Sequence, residues 1–401
     1  MTNADRRDGG MRAVSAVLFL CLFAAQAGAI ALSPVLVDVA RDLDVSTAAA
    51  GQLRTIAGLV AGATALTLAR VGGRVDIRRQ LLGGSIVLAL GSLGSAGAPS
   101  MEWLAVAQVP VGAGIATLTT AGTLAAAEWV PAERRAATLS WTLVGQPAAW
   151  IVGMPLVGVV GERSWRYAWL VLPLAAAVVA AAAVARRSAG QPVSRARPPL
   201  RAALVTPGIA RWLTAELLAN TAWAGTLVYA GALFVESYDT SGEATGGVLA
   251  LGAGAYVAGT MSFRRLAGRE PRRVLVPLAL VFAVAITSFG AFRPSVAVSA
   301  TLFSAAAFVA GGRTFLSSTV GLETSAEFRP AAMAMRAASM QFGYFTGAFL
   351  GGTALAVGGY AGLGLTASLL LVGAAVALRV PVPSRMGSYF IGRGVPAACR
   401  T

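Results

Sequence analysis

The chain has no histidine, no lysine and two cysteines, and only 17 of its 401 residues are acidic. Without histidine there is no imidazole to ligate a metal, act as a general base or switch near neutral pH. Cys21 and Cys399 lie near opposite ends, so no disulfide framework is implied. Charged residues make up 12% of the chain, against roughly 25% in soluble domains. Too few polar side chains remain to coat a water-facing surface. These absences argue against an enzyme built on a metal, a thiol or a histidine-containing triad, and neither a cofactor nor a metal site is expected.

What is present is apolar. Hydrophobic residues make up 56% of the chain, with 47 glycines and a mean hydropathy of +0.71. All 32 basic residues are arginine, giving a net charge of +15. Such an excess can mark a nucleic-acid binder, but here the arginines fall in short clusters between apolar runs. The expected partner is the lipid bilayer, not nucleic acid.

A helix needs about 20 apolar residues to cross a ~30 Å hydrocarbon core. That window predicts twelve spans, at 13–37, 48–70, 80–98, 103–127, 138–160, 165–186, 210–235, 245–263, 273–292, 295–319, 331–356 and 360–380. Residues 11–29 also read as a secretory signal, but the apolar run continues to Leu36, which favours a first span. Runs of this length exclude barrel strands, so the fold class expected is an all-α membrane protein. With the N-terminus inside, 26 arginines face the cytoplasm and five (Arg41, Arg54, Arg163, Arg166 and Arg293) face outward, while Arg313 lies within a span. The positive-inside rule then puts both termini in the cytoplasm, and the expected location is the cell (inner) membrane, multi-pass.

The Arg- and Pro-rich stretch 187–209 divides the spans six and six. The expected organisation is a cytoplasmic tail (1–12), a six-helix bundle (13–186), a cytoplasmic linker (187–209), a second six-helix bundle (210–380) and a cytoplasmic tail (381–401). The halves echo one another at an offset near 195. Gly73-Arg74-Val75-Asp76-Ile77-Arg78-Arg79 after span two matches Gly268-Arg269-Glu270-Pro271-Arg272-Arg273 after span eight. Arg134-Arg135-Ala136-Ala137 matches Arg329-Pro330-Ala331-Ala332, and Gln146 matches Gln341. An even number of spans per half makes the copies parallel, so the bundles are expected to be pseudo-symmetric about an axis along the membrane normal, as in a large class of transporters.

On these residues the chain resembles the major facilitator superfamily, and within it the twelve-span drug:proton antiporters and sugar-efflux-like permeases. Arg74 and Arg78, followed by Leu81-Leu82-Gly83-Gly84, resemble the family's loop signature after span two. Here Gly73 stands where the family has Asp, and Asp76 where it has Gly, so the resemblance implies an inner-gate loop of Arg74, Asp76 and Arg78 that is rebuilt or weakened. Span five carries Gly145, Pro147, Gly153, Pro155 and Gly158, which resemble the exporters' antiporter motif. Read without the name, such glycines and prolines let a helix pack closely or rock against a neighbour. Span four has Gln108 in the frame where proton-linked relatives have an arginine, which puts that arginine's role in doubt.

Ionisable groups within the bilayer are costly and call for a partner or a function. Glu216, Asn220 and Trp223 share one face of span seven at i, i+4 and i+7. Glu216 lies about 6 Å and Arg313 about 9 Å from the inner ends of their spans. By family analogy spans one, four, seven and ten line the cavity, so an inner-leaflet Glu216–Arg313 pair is expected, with Glu216 as proton carrier. The alternative leaves Glu216 near the headgroups, solvated or paired with Arg211, and Arg313 snorkelling. Arg54 either attracts an anionic group or, as the blander reading, pairs with Asp38, a second carboxylate that proton coupling could use. Gln26, Gln108, Gln341 and Tyr344 complete the cavity candidates, with Trp141, Trp150, Trp223 and Tyr256 as aromatic ones. Gly343, Gly347 and Gly351 read as a packing ridge. The function expected is export of a small, lipophilic molecule by a monomer working through alternating access, in exchange for protons. An uncoupled facilitator or importer, and a transport-inactive receptor or scaffold, are the alternatives.

Overall fold

The computed structural model describes residues 3–71, 75–186, 200–266, 271–322 and 328–379. Helix α1 (Asn3–Ile30) runs back into the segment expected as a tail. It is followed by a 3₁₀ turn at Ser33–Val35, α2 (Leu36–Asp42), α3 (Thr47–Gly51), α4 (Leu53–Val71), α5 (Ile77–Ala96), α6 (Met101–Glu128) and α7 (Arg135–Gly161). Then come α8 (Trp165–Trp169), a π-turn at Leu170–Leu174 and α9 (Ala175–Ala185). The second half holds α10 (Leu200–Val205), α11 (Pro207–Tyr238), α12 (Gly242–Ser262), α13 (Pro271–Ala291), α14 (Val296–Leu322) and α15 (Arg329–Arg379). The short α10 falls in the stretch expected as a linker.

Ten helical stretches are long and apolar enough to cross a membrane. The last of them is 49 residues long and bends at Gly359, whose φ of +58° suits a residue without a Cβ. The expected twelve is reached only if its two arms are counted separately and α5 is included. The hydropathy of α5 is diluted by serines, but Ser85, Ser92 and Ser95 each donate to the carbonyl four residues back, at 2.8–2.9 Å. Their polarity is thereby satisfied inside the helix, as a bilayer requires. Large apolar side chains such as Leu90, Val106 and Val284 remain 60–67% exposed, which suits lipid as the solvent.

Helices α1 to α9 pack mainly on one another, and so do α11 to α15. The two groups meet along two seams, α7 against α12 and α4 against α15, and where the turn after α1 and the following α2 approach α11. At the third contact Ser33 Oγ donates to the Leu227 carbonyl at 2.6 Å and lies 3.5 Å from that of Val228, 195 residues away. The same offset carries α7 onto the first arm of α15 and α4 onto α12, so the α7–α12 seam has its repeat image in the α4–α15 seam. The contact at Ser33 therefore joins equivalent positions of the duplicated halves.

Candidate functional site

The hydrogen bonds between described residues of the two groups gather at the arginine-poor ends of the helices. Tyr229 Oη reaches the Ala48 carbonyl at 3.3 Å and that of Ala348 at 3.0 Å. Gln52 Nε2 lies 3.4 Å from the carbonyls of Ala348 and Phe349, and Glu162 Oε1 accepts the Glu243 amide at 3.0 Å. Glu236 accepts from Thr47 across the seam and from Tyr360 at 2.8 Å within its own group.

Glycines bring the seams to backbone contact. A Cβ on Gly158 would collide with the Gly242 carbonyl, one on Gly246 would lie 2.5 Å from the Met154 carbonyl, and one on Gly58 2.5 Å from the Phe345 amide. Helix α7 is thus enclosed on three sides. Gly145 abuts the backbone of Phe19 and Phe23 in α1, Gly153 abuts Leu172, and Gly158 abuts α12. Pro147 and Pro155 lie inside the unbroken helix.

Further along the helices from these ends, aromatic rings cross the interface. Trp150 of α7 lies 5.8 Å from Tyr256 of α12, which stacks on Trp223 of α11 at 6.2 Å. Trp223 in turn contacts Phe282 and Phe303. Arg54 of α4 is 3% exposed, and its guanidinium lies 4.9 Å from the centre of the Tyr344 ring. Gln26 lies beside Tyr344, with its Nε2 buried and unpaired. Arg54, Ser33, Trp150, Met154, Leu227 and Tyr344 border a cavity of ≈ 20 Å³, about the room one water needs.

Inside the C-terminal group, Glu216 is 1% exposed. Its carboxylate contacts Arg313 through Oε1 and, as an ion pair at 2.9 Å, Arg336 Nε through Oε2. Arg336 Nη2 also donates to the Thr314 carbonyl at 3.2 Å. Ser317 stands beside the carboxylate and receives the Trp212 indole N–H at 2.8 Å. The expected Glu216–Arg313 contact is therefore present, and Arg211 and headgroup solvation do not describe Glu216. The sequence reading missed Arg336 by counting it among the cytoplasmic arginines. It lies five residues into its expected span, about 7.5 Å deep, so the depth arithmetic applied to Glu216 and Arg313 finds it too.

Two expectations are corrected. Arg54 does not pair with Asp38 among the described residues. It turns across the interface to Tyr344, while the charged neighbours of Asp38 are Arg41 and Glu162. Gln108 is fully buried and donates to Ser95 of α5 at 3.1 Å, so it joins two helices of one group and does not line the interface. Gln108→Leu is accordingly expected to leave transport within about twofold and stability within ~1 kcal/mol, read by efflux and thermal unfolding.

The remaining candidates fall as follows. Asn220 packs against Gly343, and its Nδ2 is buried without a partner. Gln341 is half-buried, close to Tyr344 in sequence. Gly343 and Gly347 abut α11, and Gly351 faces Tyr229, as a packing ridge requires. Trp141 is 55% exposed and pairs with Phe19, away from Trp150. Asp76 caps α5 through the Arg78 amide at 3.3 Å, and Arg78 Nη2 holds the Ala185 carbonyl at 2.8 Å. Both act inside the N-terminal group. Arg74 lies outside the described residues.

Comparison with known proteins agrees with the all-helical fold. The family model described as Major Facilitator Superfamily matches residues 18–320. A "Chloramphenicol resistance protein" of Streptomyces lividans is 32% identical over 265 residues, which span 61% of this chain and 64% of that protein. The fold resembles the crystal structure of a D-xylose-proton symporter, with a TM-score of 0.72 at 15% identity over 92% of this chain and 98% of that one. It also resembles a bacterial homologue of the human lysosomal transporter Spinster, solved inward-facing and unoccupied. That match has a TM-score of 0.68 at 13% identity over 93% of this chain and 94% of that one.

Proposed function

Since the chain belongs to the Major Facilitator Superfamily, we propose that it exports a small, largely apolar molecule by alternating access between its two groups of helices, in exchange for protons. The observation that carries this reading is the close, glycine-lined interface between the two groups. Among the described residues, bonds and glycine contacts tie the groups together in the arginine-poor half, where a rocking motion would break them. With these ties in place the arginine-poor ends are held together, and alternating access calls for a second state in which they part. Export is further supported by the chloramphenicol-resistance relative and by the position of the α7 motif on a seam. The protein is read as a monomer in the cell membrane, with a small-molecule substrate and protons as its partners.

One proton crossing a 100 mV potential releases about 2.3 kcal/mol, enough for roughly fiftyfold accumulation. One observation favours the uncoupled facilitator as a second reading: Glu216 must part from two guanidiniums before it can pick up a proton. The test is chloramphenicol accumulation in an efflux-deficient bacterial host, with and without a protonophore. Proton-linked export predicts lowered accumulation that the protonophore restores. Lowered accumulation that survives the protonophore sinks the coupling. No effect on chloramphenicol or on a panel of lipophilic compounds sinks export of this class.

A further inference from the structure

We propose that Arg54 is the anchor for an anionic group, and that the transported molecule is an amphiphilic organic acid with an apolar, aromatic-compatible body. The inference rests on the transport reading and names the substrate class for the same site. Arg54 lies seven residues beyond Thr47, about 10 Å from the arginine-poor end of its span. There it is 3% exposed, with Nε and Nη1 buried and without a hydrogen-bond partner. No carboxylate pairs with it among the described residues, and the Tyr344 ring offers only a cation–π contact.

Other arginines of this chain are treated differently. Arg336 has a carboxylate and a carbonyl, Arg313 has a carboxylate, and Arg78 has a carbonyl. A guanidinium held for packing alone would be satisfied in the same way, because a buried charge with no partner is costly. Arg54 instead borders the cavity between the groups, where the other lining residues, Ser33 apart, are apolar or aromatic. The walls of that cavity come from both groups, so rocking widens it. A carboxylate or phenolate would give the guanidinium both its counter-charge and its acceptors. The apolar part would lie along Trp150 and Met154. Two arginines against one carboxylate at Glu216 add surplus positive charge within electrostatic reach of Tyr256, which disfavours a lipophilic cation.

The test is isothermal titration of the purified full chain with three matched probes, 1-naphthoate, 1-naphthamide and 1-naphthylmethylammonium. The acid is expected to bind at least about tenfold tighter than the amide, with the ammonium weaker than both. Arg54→Gln should bring the acid's affinity down to about that of the amide, while Arg54→Lys should keep part of the acid's advantage. Equal binding of acid and amide, no binding of the acid, or an unchanged preference in Arg54→Gln would overturn the proposal. The wild-type comparison decides even if a variant fails to fold. Counterflow in proteoliposomes separates this from the transport reading. An acid that binds through Arg54 but is not moved fails transport alone, and a neutral probe moved without preference for the acid fails the anchor alone.

Discussion

Replacing Glu216 by glutamine is expected to destabilise the protein by about 3–5 kcal/mol, because it leaves two buried guanidiniums without their shared anion. The single variants Arg313→Gln and Arg336→Gln should be much milder, since either leaves a one-to-one ion pair in place of a cluster with an excess positive charge. Replacing all three by methionine should recover most of the stability, because well-packed apolar groups substitute for buried ion pairs at little cost. Thermal unfolding in detergent reads this order. A Glu216 variant no worse than either arginine variant would contradict the shared-anion geometry. The triple variant also isolates function. If it is stable and still shows protonophore-sensitive efflux, Glu216 is not the proton carrier.

The second large effect is expected at the seams. Gly158→Val and Gly58→Val should each lower transport at least about tenfold while the protein stays folded. Any side chain there meets backbone of the opposite group, the Gly242 carbonyl in one case and the Phe345 amide in the other. Backbone cannot swing aside as a side chain can, so the closed arginine-poor end is disfavoured and the cycle loses one of its end states. Gly247→Val is the control, because nothing lies within 4 Å of a Cβ built there. Gly347→Val should behave differently again. Its Cβ would lie 2.5 Å from the Thr221 carbonyl within one group, so it should lower thermal stability and not shift the balance between end states. Efflux and thermal unfolding measured together separate the three outcomes.

The helical spans were legible because lipid leaves the backbone little choice: long apolar runs must become helices, with polar groups satisfied inside. Even the serine-rich α5 obeys that rule through its own carbonyls. Glu216 and Arg313 were legible for a related reason, since two opposite charges at similar depth on neighbouring cavity helices need one another. Arg336 sits at the same depth, yet the tally of cytoplasmic arginines absorbed it, because orientation arguments count residues near span ends without asking where they point. Arg54 and Gln108 were misplaced by azimuth. Depth can be computed from sequence position at 1.5 Å per residue, but the neighbour a side chain faces depends on helix packing. Arg54 and Asp38 were matched by their nearness to the same membrane face, whereas α4 turns Arg54 toward α15. The ties made by Tyr229 and Glu236 gave no sequence signal, because each is a single polar group meeting backbone or another side chain across the interface.

The measurement that tests the account most directly is a pair of spin-label distances across the α7–α12 seam. One label pair sits at the arginine-poor end (Arg163→Cys with Ala244→Cys). The other sits at the arginine-rich end (Arg135→Cys with Arg265→Cys). All four positions are exposed. With a transported substrate, or under a proton gradient, the account predicts a second population in which the first distance lengthens and the second shortens. Distances that stay fixed while substrate moves, or that lengthen together, would contradict alternating access between the two groups of helices.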